Sequence, residues 1–492
     1  MATPTLVQHV VWTGNGNSGT GNTFKLQLPN ATLANNCLIL ALEYPDTVTT
    51  ITITDNAIGG TNTWPSTPTV SVDDSGNSML HAIFVLPNAY AGATQITVVF
   101  NAAILGFKPC FQEWYNIATS SPLDGSHTAI PSTTAVASGS FNTTVDGDLI
   151  LHFGATTDLG NEGQDGQFDG WTKVTKATGG YAFCQVDLND GYFCEYLVQG
   201  THGATNPSAT LTLSAGAYST CSITFALKSA TSGTAPSATA MRIFGMNHNR
   251  LQGTGATGNL TYPVQFPTVG NTFVATCSDP PASIALVSVS GATSGAWTTI
   301  TTSGEEAQAC YKTSGTPSTD ELLTFTLNDS SAHVYVQGCL YDIVNGAAYD
   351  TFTATVDGTG FGPGNSTPAA TITPGVSSGM VIACFGIQTG PPDSVVTPSG
   401  AVFLSCYYTG EGDASYMDNG DFHGYYVYSS NAAQSWVFHD TVATTGYQPL
   451  LISIAAAAAG NNITPNVGAL ALTGQQPTVS AISNTLIIPN TA

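Results

Sequence analysis

Asp158, Glu162, Asp165 and Asp169 fall within one glycine-rich stretch, and Asp413, Asp418 and Asp421 fall within another. Carboxylates at that density are hard oxygen donors of the kind that hold Ca²⁺. Asp158, Asp165, Asp169, Asp418 and Asp421 are therefore the calcium candidates, although neither stretch follows the EF-hand spacing and Asp favours turns on its own account. No other cofactor is expected. Gly253-Thr254-Gly255-Ala256-Thr257-Gly258 has the letters of a dinucleotide-binding loop, but Asn259 to Val264 then reads as a turn into a strand, whereas the pyrophosphate needs a helix N-terminus. Gly375-Val376-Ser377-Ser378-Gly379 has the letters of a nucleophile elbow, yet it follows Pro374 and leads into Met380-Val381-Ile382-Ala383, a strand where the elbow requires a helix. Asp421 near His423, and His439 beside Asp440, are acid–base neighbours that arise readily in a chain rich in polar turns. No catalytic residue is assigned, and no enzyme activity is expected.

Aromatic faces raise a different chemistry, the stacking of sugar rings. Trp64, Trp171 and Trp297 recur at one place in a repeat, which points to core packing. Tyr407, Tyr408, Tyr416, Tyr425 and Tyr426 cluster without that regularity and are the glycan-binding candidates. The ten cysteines contain no C-x-x-C pair, so no zinc site is signalled. Most lie in apolar alternation as buried thiols, with a Cys184–Cys194 disulfide left open.

The elements that must position these residues are strands. Runs such as Ile51-Thr52-Ile53-Thr54, Gln95 to Phe100, Thr210 to Leu213 and Leu323 to Leu327 alternate with period two and are bounded by Gly, Asn, Asp and Pro, the pattern of half-buried β-structure. No amphipathic helix is evident. At 492 residues and 42% hydrophobic content the chain can build several cores. Charged residues are only 8%, with 8 Lys and Arg against 31 Asp and Glu, for a net charge of −23. Phosphate recognition needs clustered cations, so no nucleic acid and no anionic membrane is expected as a partner. Met1 to Val10 has no basic region followed by a long apolar core, so no secretory leader is expected.

A turn followed by an apolar strand occurs at Asn36–Leu40, Gly147–Leu151, Asn271–Ala275 and Gly379–Ala383, each followed by an aromatic (Trp64, Trp171, Trp297, Phe403) and a closing apolar strand. Blocks one and three both end in an aromatic-rich strand that leads to an Asp, Asp124 and Asp350 respectively. The chain therefore reads as all-β: four tandem antiparallel, jelly-roll-like β-sandwiches arranged as a duplicated two-sandwich module, followed by an extended C-terminal tail. The expected boundaries are 1–121, 122–228, 240–347 and 348–458 for the sandwiches, 229–239 for a linker and 459–492 for the tail. Linker composition at 229–239 predicts modules that move freely against each other.

Thr54-Asp55-Asn56-Ala57-Ile58-Gly59-Gly60-Thr61-Asn62-Thr63-Trp64 resembles the T-D-N-x-G-N-T-W loop of tandem β-sandwich repeat proteins of phage, bacterial and metagenomic origin. Gly468-Ala469-Leu470-Ala471-Leu472-Thr473-Gly474-Gln475-Gln476-Pro477-Thr478-Val479 resembles the G-x-L-x-L-T-G-x-x-P-T-V segments of predicted bacteriophage structural proteins. These resemblances imply a noncatalytic virion protein: a capsid decoration, head-fibre or tail-associated protein, made in the host cytoplasm and displayed on the virion surface. Its expected partners are other virion structural proteins, further copies of itself and a host surface glycan. Leu470, Leu472, Leu486, Ile487 and Ile488 have no block of their own to bury them, which makes them the expected partner-binding residues. The alternative reading is an extracellular or cell-surface glycan-binding or filament-forming bacterial protein, and a third is a polysaccharide depolymerase.

Overall fold

The computed structural model describes residues 2–12, 21–104, 108–156, 171–187, 191–213, 219–230 and 232–256. Beyond these it describes 260–263, 271–278, 284–290, 297–300, 307–313, 322–327, 333–354, 365–366, 370–387, 394–404, 406–408, 421–440, 447–457, 481–482 and 485–486. Every regular element among them is a β-strand, in line with the all-β expectation. Residues 1–457 form one compact unit and 458–492 a second. In the second, Ala481–Ile482 pairs with Thr485–Leu486 as a short antiparallel ladder.

The first unit is organised around a ten-stranded sheet. Its strands run in the order Thr298–Thr299, Ala307–Lys312, Thr272–Ser278, His333–Val344, Arg242–Ala256, Thr5–Val11, Lys108–Tyr115, Cys37–Pro45, Met79–Leu86 and Val70–Asp74. All pairings in it are antiparallel except the central one, where Thr5–Val11 and Arg242–Ala256 run parallel with His9 opposite Gly245 and Val11 opposite Asn247. The five strands on either side of this seam correspond one for one. Two equivalent strands that pair in parallel are related by a pseudo-twofold axis along the strand direction, and such a rotation exchanges the two faces of the sheet.

The cores show that exchange. Leu38, Leu40 and Leu42 pack with Phe24, Leu26, Ile96, Val98 and Phe100 of the four-stranded sheet of the same block. Cys37, Ile39 and Ala41 point the other way, against Leu149, Leu151, Phe153, Ile223 and Phe225 of the five-stranded sheet of the following block. Across the seam, Met246, Cys339 and Tyr341 share the face of Val10 but meet Met380, Ile382, Leu450 and Ile452, the five-stranded sheet of the fourth block. Those two five-stranded sheets have matching orders: Ala182–Asp187, Tyr192–Val198, Leu149–Thr156, Thr220–Leu227, Leu123–Ala129 in one, and Val402–Leu404, Asp421–Tyr428, Gly379–Ile387, Tyr447–Ala456, Gly346–Ala354 in the other.

This layering explains which strands alternate in sequence and which do not. Ile51–Asp55 and Val70–Asp74 alternate buried with exposed because only one of their faces is covered. Leu149–Thr156 is buried at every position and Cys37–Pro45 at all but its last, since both are covered on both faces. Burial on both sides supplies about 1.5–3 kcal/mol per large apolar side chain relative to exposure.

The free movement predicted for the modules is not what the structure shows. The start of the expected linker is tied to the first module: Ser229 bridges Ile117, Ala230 N–H donates to Asn116 O (2.8 Å), and Ser232 Oγ donates to Ile117 O (2.9 Å). A Cβ at Gly233 would stand 2.4 Å from Asn116 N, so only glycine lets this strap approach so closely. Composition signalled a flexible segment, but its bonds to Asn116 and Ile117 and the pairing of Arg242–Ala256 with Thr5–Val11 fix its path.

Candidate functional site

The polar residues with chemical potential lie between the layers. Glu113 is buried on the closing strand of the first block and accepts from Gln8 Nε2 (2.6 Å), Asn36 Nδ2 (2.7 Å) and Leu33 N–H (2.8 Å). Burial raises its carboxyl above the ordinary value, while these three donors and Arg242 pull it back. Asn36 also exchanges two hydrogen bonds with the backbone of Thr234, at 2.7 and 3.0 Å. Arg242 Nη1 donates to Val7 O (2.7 Å), and Asn30 Nδ2 donates to Ile243 O (2.6 Å). The network thus links the opening turn, the closing strand and the second module. Across the pseudo-twofold, Asn271 Nδ2 donates to Asp342 Oδ1 in the place of Asn36 and Glu113. Burial lowers the Arg242 guanidinium, opposed by Glu113, Asp342 and Tyr425.

A second cluster has the connectivity of a hydrolase triad. His152 Nδ1 lies 2.7 Å from Glu195 Oε1, and His152 Nε2 lies 3.1 Å from Ser222 Oγ. The tautomer that donates from Nδ1 leaves Nε2 to accept the serine hydroxyl. All three residues are 0% exposed on adjacent strands, and Glu195 Oε2 accepts Ala177 N–H at 2.7 Å. Phe193 closes over the imidazole edge-to-face. A serine nucleophile needs a substrate carbonyl beside Oγ and donors for the oxyanion. Here all three side chains are sealed from solvent, and the bonds satisfy buried polar groups inside the second block. Sequence reading missed it because its members come from three separate strands.

The remaining two clusters are related by the pseudo-twofold. Cys110 opposes Val11, and Cys339 opposes His248, on corresponding strand pairs. Two residues along the same strands, Gln112 Nε2 donates to Cys194 Sγ (3.1 Å), and Tyr341 Oη lies 2.6 Å from His423 Nδ1. In the first module the cluster is three buried thiols and two amides: Gln112 also donates to Gln185 Oε1 (2.7 Å), Cys110 Sγ donates to the same oxygen, and Cys184 Sγ donates to Cys194 O (3.4 Å). Burial pushes the Cys110 and Cys194 thiols well above their ordinary range. Cys184 and Cys194 are thiols, not a disulfide. In the second module the same place holds His248, Cys339 and His423, all buried, with one ligand atom from each within 4.8 Å of the others. Trp12 packs on His248 with ring centroids 4.4 Å apart. Two imidazoles and a thiol are donors suited to zinc or copper.

Of the residues singled out from sequence, Trp64 is buried and its indole N–H donates to Asp55 Oδ2 (2.8 Å), which also accepts from Asn62 Nδ2 (2.9 Å). Those bonds account for Asp55, Asn62 and Trp64 of the loop, while Asn56 Oδ1 accepts from Thr94 N–H (2.8 Å) and Gln95 N–H (2.9 Å). Tyr425 is buried, with its hydroxyl donating to Pro29 O, and Tyr426 packs on the core of the fourth block. Neither Tyr425 nor its hydroxyl is presented to a sugar. Tyr407 and Tyr408 lie on Cys406–Tyr408, which pairs with Gly21–Gln27 and is the fourth strand of a sheet whose other three strands come from the first block. Asp421 begins Asp421–Tyr428, and Leu486 ends Thr485–Leu486. Asp158, Asp165, Asp169, Tyr416, Asp418, Leu470, Leu472, Ile487 and Ile488 lie outside the described residues.

No family model matches the chain, and no curated protein matches it. Among solved structures it aligns with a Paenibacillus xanthan lyase at 12% identity and a TM-score of 0.16, over 91% of this chain and 51% of the lyase chain. The chain therefore spans about half the length of that lyase, and a superposition this poor carries no argument about fold or activity.

Proposed function

We propose that the chain is a noncatalytic structural protein of a bacteriophage-like particle, a capsid decoration, head-fibre or tail-associated protein on the virion surface. The observation that carries this reading is the use of the buried polar groups. Glu113, Arg242, Asp342 and the His152–Glu195–Ser222 chain all bond to neighbouring strands and tie each sheet together laterally. A continuous sheet through both modules resists shear, which suits a protein that transmits load. The tail resemblance supplies the link to phage particles, and Leu470, Leu472, Leu486, Ile487 and Ile488 are the residues proposed to bind other virion proteins or further copies of the chain. A net charge of −23 favours a soluble, mutually repelling outer surface.

A glycan-binding surface is a second reading. Tyr90 is 49% exposed beside Ile58 at 89%, on adjacent loops of the first block. The deciding experiment images particles assembled with the full chain and with residues 460–492 deleted. The proposal expects the full chain on particles and the deleted chain absent from them. Full occupancy by the deleted chain would overturn the anchoring role, and absence of the full chain from purified particles would overturn the virion reading.

A further inference from the structure

We propose that His248, Cys339 and His423 form a buried binding site for a thiophilic d¹⁰ cation, zinc or monovalent copper, which staples the fourth block to the central sheet. His248 and Cys339 sit opposite each other on adjacent strands of the ten-stranded sheet, and His423 comes from the five-stranded sheet packed on it. Their donor atoms already converge to within 4.8 Å, so modest rotamer changes bring all three onto one ion. Tyr341 Oη lies 2.6 Å from His423 Nδ1, and the tautomer in which Nδ1–H donates to the phenol oxygen orients the imidazole with Nε2 as the metal-binding nitrogen, the usual outer-shell arrangement for a ligating histidine. Trp12 packs against the His248 ring and restricts its rotation.

The comparison across the pseudo-twofold sharpens the inference. Where Cys339, Tyr341 and His423 stand, the first module has Cys110, Gln112 and Cys194. There the amides of Gln112 and Gln185 take up the polar groups by hydrogen bonding. In the second module the phenol of Tyr341 stands in place of the Gln112 amide and the imidazole of His423 in place of the Cys194 thiol, side chains that orient and ligate a metal. On binding, the Cys339 S–H bond breaks, its proton leaves to solvent, and sulfur donates its electron pair to the metal, with no change in oxidation state. One thiolate and two neutral imidazoles leave Cu⁺ neutral overall and Zn²⁺ with one positive charge. Burial favours the neutral set, while zinc requires a fourth ligand.

The test uses the full chain, refolded in Zn²⁺, in Cu⁺ under reductant, in Co²⁺ as a spectroscopic stand-in for zinc, and in chelator alone. The expected result is one tightly held ion per chain, a thiolate-to-cobalt charge-transfer band, and a lower unfolding temperature for the chelated protein. Cys339→Ser abolishes the band, His423→Asn loses the ion, and Tyr341→Phe weakens binding by roughly 10- to 100-fold. Cys194→Ser, at the related position, keeps both band and ion. Relative affinity for Zn²⁺ and Cu⁺ assigns the metal. Wild-type protein that refolds without retaining either ion or showing the band overturns the proposal even if no variant folds. Retention of the ion by Cys339→Ser and His423→Asn overturns it equally.

Discussion

Replacing Glu113 by alanine tests whether the polar network beside the parallel seam holds the two modules together. The side chain accepts three hydrogen bonds between 2.6 and 2.8 Å, from Gln8, Asn36 and Leu33, and faces the partly buried Arg242. A hydrogen bond to a charged group contributes about 1.5–3 kcal/mol, and here the three offset only part of the cost of burying the carboxylate, since burial still leaves the carboxyl raised. Removing one member of a buried polar pair and leaving its partners unsatisfied costs about 3–5 kcal/mol. Glu113→Ala is therefore expected to lose about 3–5 kcal/mol in equilibrium urea unfolding. Glu113→Gln should lose less, about 1–2 kcal/mol, because the amide oxygen still accepts two donors while its NH₂ meets the donor face of Gln8. Gln8 cannot flip to help, since its Oε1 already accepts from Asn30 N–H at 2.9 Å.

The pH dependence has a definite sign. Burial raises the Glu113 carboxyl in the folded chain, so folding favours the protonated form. The associated stability is fully present below the unfolded value near 4.5 and is lost as pH rises through the folded value. Glu113→Gln removes that dependence, so its destabilisation should be larger at pH 5 than at pH 8. A Glu113→Ala loss below about 1 kcal/mol, within the range of an exposed pair, would refute the role assigned to the network.

The paired acids of the second block give a second pH test. Burial and the neighbouring Asp124 push Asp148 up to about 7. Burial also works on Asp124, but Thr144, the Asp148 carboxyl and Lys228 bring it down to about 2. Asp148 therefore contributes stability that declines between about pH 4 and pH 7, and Asp148→Asn should raise the unfolding temperature at pH 8 but not at pH 4, as read by calorimetry. At the parallel seam, a Cβ on Gly245 would stand 2.1 Å from His9 Nε2. Gly245→Ala should cost about 1–3 kcal/mol by overpacking in denaturant unfolding, and His9→Ala in the same chain should recover part of that loss.

Much of the fold was legible because strands write their burial into alternation. Ile51–Asp55 and Gln95–Ile104 alternate and are covered on one side, while the unbroken apolar run at Leu149–Thr156 belongs to a strand covered on both. The Asp55–Trp64 loop stood out in sequence as a resemblance, and the structure supplies its reason, since donor and acceptor lie nine residues apart. The site residues were not legible. His248, Cys339 and His423 come from three strands far apart in the chain, and nothing local distinguishes a histidine that meets a cysteine from one that does not. The one sequence signal pointing there was the repeat itself, which aligns Cys339 with Cys110.

What the sequence determined by itself is the β-class, the duplicated order of strands and the acidic, lysine-poor surface, because each follows from residue type and short-range period. Tertiary structure alone decided how the copies join. Backbone hydrogen-bonding groups on a strand edge are the same whatever the side chains, so the parallel pairing of Thr5–Val11 with Arg242–Ala256 is not encoded as a pattern along the chain. That pairing depends on local fits such as Gly245 under His9 and Asn30 on Ile243, which exist only once the layers have met. It also sets which face of each half-sheet meets which neighbour, and thereby brings two histidines and a cysteine to one point between them.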